Sequence, residues 1–151
     1  MSVDFSALAE GDELPPLQLQ PDLGQVIRYC ALIWAFPPFF FDADAARAQG
    51  MPGTIVPGPL KVGLIYRAVE GWLGDAGFIR QVRAAHRRPD VTNRPIIVAG
   101  RVARVYEEDG ARRADLEMAV VNEDGQPSVR GLAVVEFPSR EPLMDGAHDQ
   151  A

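Results

Sequence analysis

The chain has 151 residues, 47% of them hydrophobic, with 15 basic against 21 acidic residues and a formal net charge of −6. That length and apolar content suit one domain with one sizeable core, and the acidic balance (pI near 4.9) argues against a nucleic-acid binder, which carries a basic face or tail. The lone cysteine, Cys30, excludes an internal disulfide, and with only two histidines no zinc motif can be assembled.

A single cysteine fits a reducing, cytoplasmic setting, and the start of the chain lacks the basic region and apolar stretch of a signal peptide. The longest apolar run, Cys30 to Phe41, contains two prolines and is too short to span a bilayer. Lys61 is the only lysine among the basic residues. Arginine suits bidentate contacts to phosphate or carboxylate, although biased nucleotide composition produces the same preference and is the plainer account.

Residues 1–10 and 139–151 show little pattern and are expected to fray, leaving one domain over 11–138. Asp12 to Gln20 reads as a short extended piece broken by Pro15 and Pro16. Asp22 is the N-cap of a helix over Leu23 to Trp34, with Val26, Ile27, Cys30, Ile33 and Trp34 on one face. Pro37 and Pro38 stop it. Asp42 caps a short helix, Ala43 to Gln49, closed by Gly50 and Pro52.

Gly58-Pro59 opens a longer helix, with proline at its first position, that reaches about Leu73. Leu60, Leu64, Ala68 and Trp72 form one stripe, with Ile65 and Val69 beside it. Gly63 and Gly71 each weaken this helix by roughly 1 kcal/mol relative to alanine. Burial by neighbours is therefore expected and, at Gly63, a close backbone approach.

Beyond Gly77 the pattern turns to strands: Phe78 to Arg88, Pro95 to Glu107, Arg112 to Asn122 and Val129 to Phe137. Asp109-Gly110 and the cluster from Asn122 to Gly125 are hairpin signals between the last three. Ala119 and Val121 interrupt the alternation of Leu116, Met118 and Val120, so both faces are expected to be covered there. One long helix followed by a meander of antiparallel strands predicts an α+β domain, a curved sheet wrapped around the helix, the arrangement called a hot-dog fold.

The segments Tyr29…Trp34, Ala45-x-Arg47-x-Gln49-Gly50, Ile55-Val56-Pro57-Gly58-Pro59-Leu60 and Arg87-Arg88-Pro89 carry a family resemblance. From Asp12 to Phe137 the chain resembles the MaoC-like acyl-thioester dehydratases and hydratases, nearest the branch acting on mesaconyl- or itaconyl-CoA. The resemblance implies a loop with an Asp or Asn and, five residues on, a His, which together activate water for addition to an α,β-unsaturated thioester. It also implies a following helix N-terminus whose backbone N–H meets the thioester oxygen, where enolate charge develops. A histidine base near neutral pH and a helix N-terminus both suit that chemistry.

Carried onto this chain, the Asp/Asn position is Ala35 and the His position is Phe40, while the terminal aspartate of the loop is kept as Asp42. Gly58, the implied oxyanion donor, is kept, preceded by Pro57. Neither alanine nor phenylalanine transfers a proton, and losing a general acid or base removes about two to four orders of magnitude in rate. The chain therefore reads as a dyad-less homologue, a non-catalytic or acyl-binding subunit.

Two alternatives stay open: an active enoyl-CoA hydratase with a relocated site built from Asp42 or His86 with Gly58, and a non-enzymatic binding or assembly module. Each candidate also has a plain structural account. Asp42 is placed to cap a helix, Gly58 to make a tight helix entry, and His86 to be an ordinary strand histidine. Tyr29 and Tyr66 read as core tyrosines, Cys30 as a buried inert thiol, and His148 as uninvolved.

Phe36, Phe39, Phe40 and Phe41 with Trp34 are too dense an aromatic cluster for a free loop, and are expected to line an acyl pocket and meet a partner subunit. Arg87 and Arg88 are candidates for the coenzyme A phosphates. The implied ligand is a thioester of coenzyme A or acyl carrier protein, with no metal or other cofactor. The implied partner is a second hot-dog chain, as homodimer or as heterodimer with a chain whose dyad is intact, and neither nucleic acid nor membrane is expected.

Overall fold

In the computed structural model, residues 3–138 are described. They form three α-helices, α1 (Leu23–Leu32), α2 (Ala43–Ala48) and α3 (Gly58–Leu73). The strands are β1 (Leu17–Leu19), β2 (Phe78–His86), β3 (Ile96–Glu108), β4 (Ala111–Asn122) and β5 (Pro127–Phe137). They make one antiparallel sheet in the order β1-β3-β4-β5-β2, so β2 is an edge strand. The architecture is the α+β hot-dog arrangement that the sequence predicts.

Local chemistry sets most boundaries. The Asp22 carboxylate accepts from Gln25 N at 2.6 Å and starts α1. Asp42 accepts from Asp44 N at 2.7 Å and Ala45 N at 3.1 Å and starts α2. Asp109 (φ 52°) and Gly110 (φ 77°) both take the left-handed conformation that a two-residue hairpin turn between β3 and β4 demands. The Asn122 side chain accepts from Asp124 N and Gln126 N, folding the next turn over its own backbone.

Alternation along β4 decides which sheet face meets α3. Ala114, Leu116, Met118 and Val120 are buried in one cluster with Leu64, Ile65, Ala68, Val69 and Leu73 of the helix. Gly131 makes room for this packing, since a Cβ there would lie 3.3 Å from Ile65 Cδ1. Irregular pairing at Ile79/Gln81 and at Val102/Arg104 bends the sheet around the helix.

Several expectations need correction. Helix α1 stops at Leu32, and Trp34 sits at φ 54°, a left-handed turn that swings the following aromatic loop away from the helix axis. Helix α3 opens with Pro57 as its cap residue and Pro59 at its second position, not its first. Gly63 is exposed and has no atom within 4 Å of a built Cβ, so no backbone approaches it. Tyr66 is also exposed, on the side of α3 away from the sheet.

The start of the chain is more ordered than its composition suggests. Phe5–Ala7 form a 3-10 turn capped by Asp4, and Phe5 stacks on Phe137 at 5.1 Å between ring centroids. On the outer face of β4, Ala119 and Val121 are half-buried and line an open groove, so that face is partly covered only. His148 and the predicted tail 139–151 lie outside the described residues.

Candidate functional site

The N-terminus of α3 is where the sequence-predicted residues meet. Pro57 carries no side-chain acceptor and donates no N–H, so no side chain caps the helix. Its first internal bond runs from Lys61 N to Pro57 O. The N–H groups of Gly58 and Leu60 thus have no helical acceptor behind them, while Pro59 has no N–H at all. A sixteen-residue helix adds a partial positive charge at this end, suited to an oxygen that gains negative charge.

Against this helix end lies His86, the last residue of the edge strand. It pairs with Val129 and shares the inner face of the sheet. A Cβ built on Gly58 would lie 3.0 Å from His86 Cε1, 3.2 Å from Nε2 and 3.3 Å from Nδ1. The imidazole therefore rests on the bare Cα of Gly58, with its other face open to solvent. The sequence leaves His86 open as an ordinary strand histidine or as part of a relocated site with Gly58; the fold brings the two together.

The loop positions have a different fate. Phe40 and Phe41 pack against a small cluster of Val26, Cys30, Val56 and Leu60, directly under the first turn of α3. Burial raises the Cys30 thiol above its ordinary range, and burial followed by the neighbouring thiol raises Tyr29 likewise. Cys30 is buried, as expected. Ala35 is half-buried, and its N–H closes the end of α1 on Cys30 O at 2.9 Å. Asp42 spends one carboxylate oxygen on two cap bonds.

The remaining aromatics form a chain of edge and tilted contacts: Trp34 to Phe36 at 5.3 Å, Phe36 to Phe41 at 6.2 Å, and Phe39 to Phe40 at 4.6 Å. Trp34 is 84% exposed and Phe36 51%, with Leu32 and Ile33 exposed beside them. Arg87 and Arg88 follow His86 and are exposed. Their N–H groups both reach Ser128 O, and the Arg88 guanidinium bonds the Gln126 side chain. Among the described residues Arg87 forms no ion pair, so its guanidinium is available to an anion beside the site.

Lys61 is a residue that sequence reading missed. It is buried in the first turn of α3, with its ammonium 2.8 Å from Asp90 Oδ2 and 3.1 Å from Arg88 O. Their side chains are 3% and 1% exposed. The signal was present in the spacing, because Lys61 stands three, four and seven residues before Leu64, Ile65 and Ala68 on the buried face. Only the partner, Asp90 in the loop after β2, was out of reach.

Two open cavities lie elsewhere. One, of about 660 Å³, opens on the sheet face turned away from α3, between Pro16, Ala99, Ala119 and Arg130. The other, of about 310 Å³, lies beside Pro52, Arg94 and Glu123. Neither includes Gly58 or His86. Among the described residues no group of His, Cys, Asp and Glu side chains is placed to hold a metal ion, and no helix is long and apolar enough to cross a membrane.

Neither a protein-family model nor a curated protein matches the chain. Solved structures do. The (R)-hydratase from A. caviae involved in PHA biosynthesis superposes with a TM-score of 0.79 at 22% identity, covering 87% of this chain and 98% of that one. A chain of the ChsH1-ChsH2 complex from Mycobacterium tuberculosis gives 0.74 at 22% identity, over 86% and 98%. A chain of the C-terminally truncated HadBC (3R-hydroxyacyl-ACP dehydratase) complex from the same organism gives 0.71 at 15%, over 90% and 99%. The chain has the hot-dog fold of R-hydratases and MaoC-like dehydratases.

Proposed function

We propose that this chain is an acyl-thioester-binding subunit of a hydratase-type hot-dog assembly, and that its own loop moves no proton. The thioester, on coenzyme A or an acyl carrier protein, sets its carbonyl oxygen at the entrance of α3, before the N–H groups of Gly58 and Leu60. The imidazole of His86 flanks that oxygen. Phe36, Phe39 and Phe41 give the acyl chain an apolar wall, and Arg87 with Arg88 meets the carrier's phosphates.

Phe40 carries the reading. The position that the family resemblance assigns to the water-activating histidine is filled by a ring packed among Val26, Cys30, Val56 and Leu60, and its partner position is Ala35. The helix entrance beside it remains uncapped. A domain that binds without reacting needs a second chain to supply the acid and base. The two Mycobacterium tuberculosis neighbours, each a complex, lend support to pairing with another hot-dog chain.

Calorimetry with butyryl-CoA, a saturated thioester, together with a hydration assay on crotonyl-CoA, tests this directly. The purified chain should bind butyryl-CoA and leave crotonyl-CoA unhydrated. Hydration at an ordinary enzymatic rate by the chain alone would sink the non-catalytic half of the proposal. Failure to bind any thioester of coenzyme A or acyl carrier protein would instead point to an assembly module.

One observation favours an active alternative. The imidazole of His86 lies against Gly58, and this proximity supports a proton-transfer role toward a thioester held at the same N–H groups. Under that reading His86→Ala abolishes hydration without changing the melting temperature. Under the binding reading there is no hydration to abolish, and the same substitution acts on affinity only.

A further inference from the structure

We propose that Lys61 is the positioning residue of this site: through Arg88 and Asp90 it holds the end of β2, and with it His86, against the first turn of α3. The inference rests on the reading that a thioester binds at Gly58, and concerns what fixes the geometry of that corner.

His86 is the last residue of an edge strand, which has a neighbour on one side only. Beyond it the chain leaves the sheet, and Arg87 N and Arg88 N both donate to Ser128 O. The Lys61 ammonium then takes hold of this segment from below, at Arg88 O and at Asp90 Oδ2. Lys61 stands one helical turn from Pro57 and three residues from Gly58, so this buried cation adds a side-chain tie between the two surfaces whose contact makes the site. Ser128 fixes where the strand ends, and Val56 N on Asp90 O with the Ile55–Val91 bridge joins the following loop to the segment before α3; Lys61 adds the tie from within the helix itself.

The energetics of the pair point the same way. Exchanging a buried ion pair for well-packed apolar side chains is often neutral or stabilising, so such a pair is weak evidence for stability and its best-attested use is to specify register. Here the pair is also imperfect, since Asp90 Oδ1 is buried with no hydrogen-bond partner among the described residues. Unsatisfied buried groups of this kind call for an account other than stability. The residue type is informative too. The chain uses arginine at every other Lys/Arg position, yet this site takes the compact ammonium, a smaller head than a guanidinium for the closed space between a carbonyl and a carboxylate.

The test is the double variant Lys61→Met/Asp90→Leu, which replaces the ion pair by apolar side chains of similar size. A stability role predicts a lower melting temperature. A positioning role predicts a melting temperature at or above that of the parent, loss of the His86 ring-current shift and nuclear Overhauser contacts at Gly58, and butyryl-CoA affinity weaker by about tenfold or more. Lys61→Arg should not restore the contact.

In a His86→Ala background the double variant should have no further effect on affinity, because the clamp acts through the imidazole. Parent-like Gly58–His86 contacts in the double variant, or additive losses in the combined variant, overturn the inference. Should the double variant fail to fold, Asp90→Asn keeps the volume and one acceptor while removing the charge. A weakened Gly58–His86 contact is then expected, and an unchanged one overturns the inference. If the parent chain itself binds no butyryl-CoA, the thioester reading has failed, while the Overhauser contacts still decide whether Lys61 positions His86.

Discussion

At Gly58 the missing side chain leaves space that His86 fills. With a built Cβ only 3.0 Å from the imidazole, Gly58→Ala forces the exposed ring to give way by a few tenths of an ångström. Gly58 is the first residue of α3, where alanine lacks the advantage of about 0.5–1 kcal/mol that it has in a helix interior, so the substitution should leave the melting temperature nearly level. Butyryl-CoA affinity should nevertheless fall, as calorimetry on the variant would show; unchanged affinity would mean that the imidazole and the ligand do not share this corner.

Cys30 and Tyr29 make a second prediction at this scale. Their folded-state values are raised by burial, so the folded chain holds these protons more tightly than the unfolded chain does. Their contribution to stability is full at neutral pH and is lost as pH rises past the ordinary thiol and then phenol ranges. Tyr106 is raised as well, by burial first and then by its bond to Asp115, and adds to the same trend. Melting temperature should decline with alkaline pH, and Cys30→Ala should soften the first part of that decline. A thiol reagent at mildly alkaline pH should label Cys30 only after unfolding.

Among the elements, α2 exists because Asp42 satisfies its first N–H groups. Asp42→Ala should lower stability by about 1 kcal/mol, while asparagine, an equally good cap, should be nearly neutral. Neither substitution should change thioester affinity by more than the fraction unfolded explains, and a specific loss with Asp42→Asn would return this carboxylate to the site.

The elements were also what the sequence revealed best. Helix α3 and both hairpins announce themselves through Pro59, Asp109-Gly110 and Asn122, because proline, left-handed turn residues and a self-bonding asparagine act on their own neighbours. The end of α1 was misplaced because Ile33 and Trp34 continue the apolar spacing, and only the left-handed turn at Trp34 reveals that they do not continue the helix. Gly63 was misjudged because low helix propensity was taken as a sign of burial, whereas the residue faces open space. The first ten residues looked patternless since a three-residue turn has no period; Phe5 is ordered by its contact with Phe137 at the far end of the domain.

Across the whole molecule, the site is a meeting of distant segments. The sequence supplied the names Gly58 and His86, but β2 lies at the sheet edge beyond β5, the last strand of the chain, and strand order is not written in local pattern. The Lys61–Asp90 pair was hidden for the same reason. The molecule also leaves Leu32 (82% exposed), Trp34 and Phe36 exposed around the aromatic loop, an apolar group of the kind that marks an interaction surface. A Trp34→Asp/Phe36→Ser variant should keep the melting behaviour of the isolated domain and reduce the mass of any assembly seen by light scattering, or lose a co-purifying hot-dog partner. Retained assembly would locate the interface elsewhere.

The most direct measurement is a butyryl-CoA titration of the isotopically labelled chain, following the backbone N–H resonances of Gly58 and Leu60. Saturable shifts largest at these two groups and at the His86 ring are predicted, with no hydration of crotonyl-CoA by the same sample. Shifts confined to the groove around Ala99, Ala119 and Arg130, or none at the entrance of α3 under conditions where binding is saturated, would contradict the account.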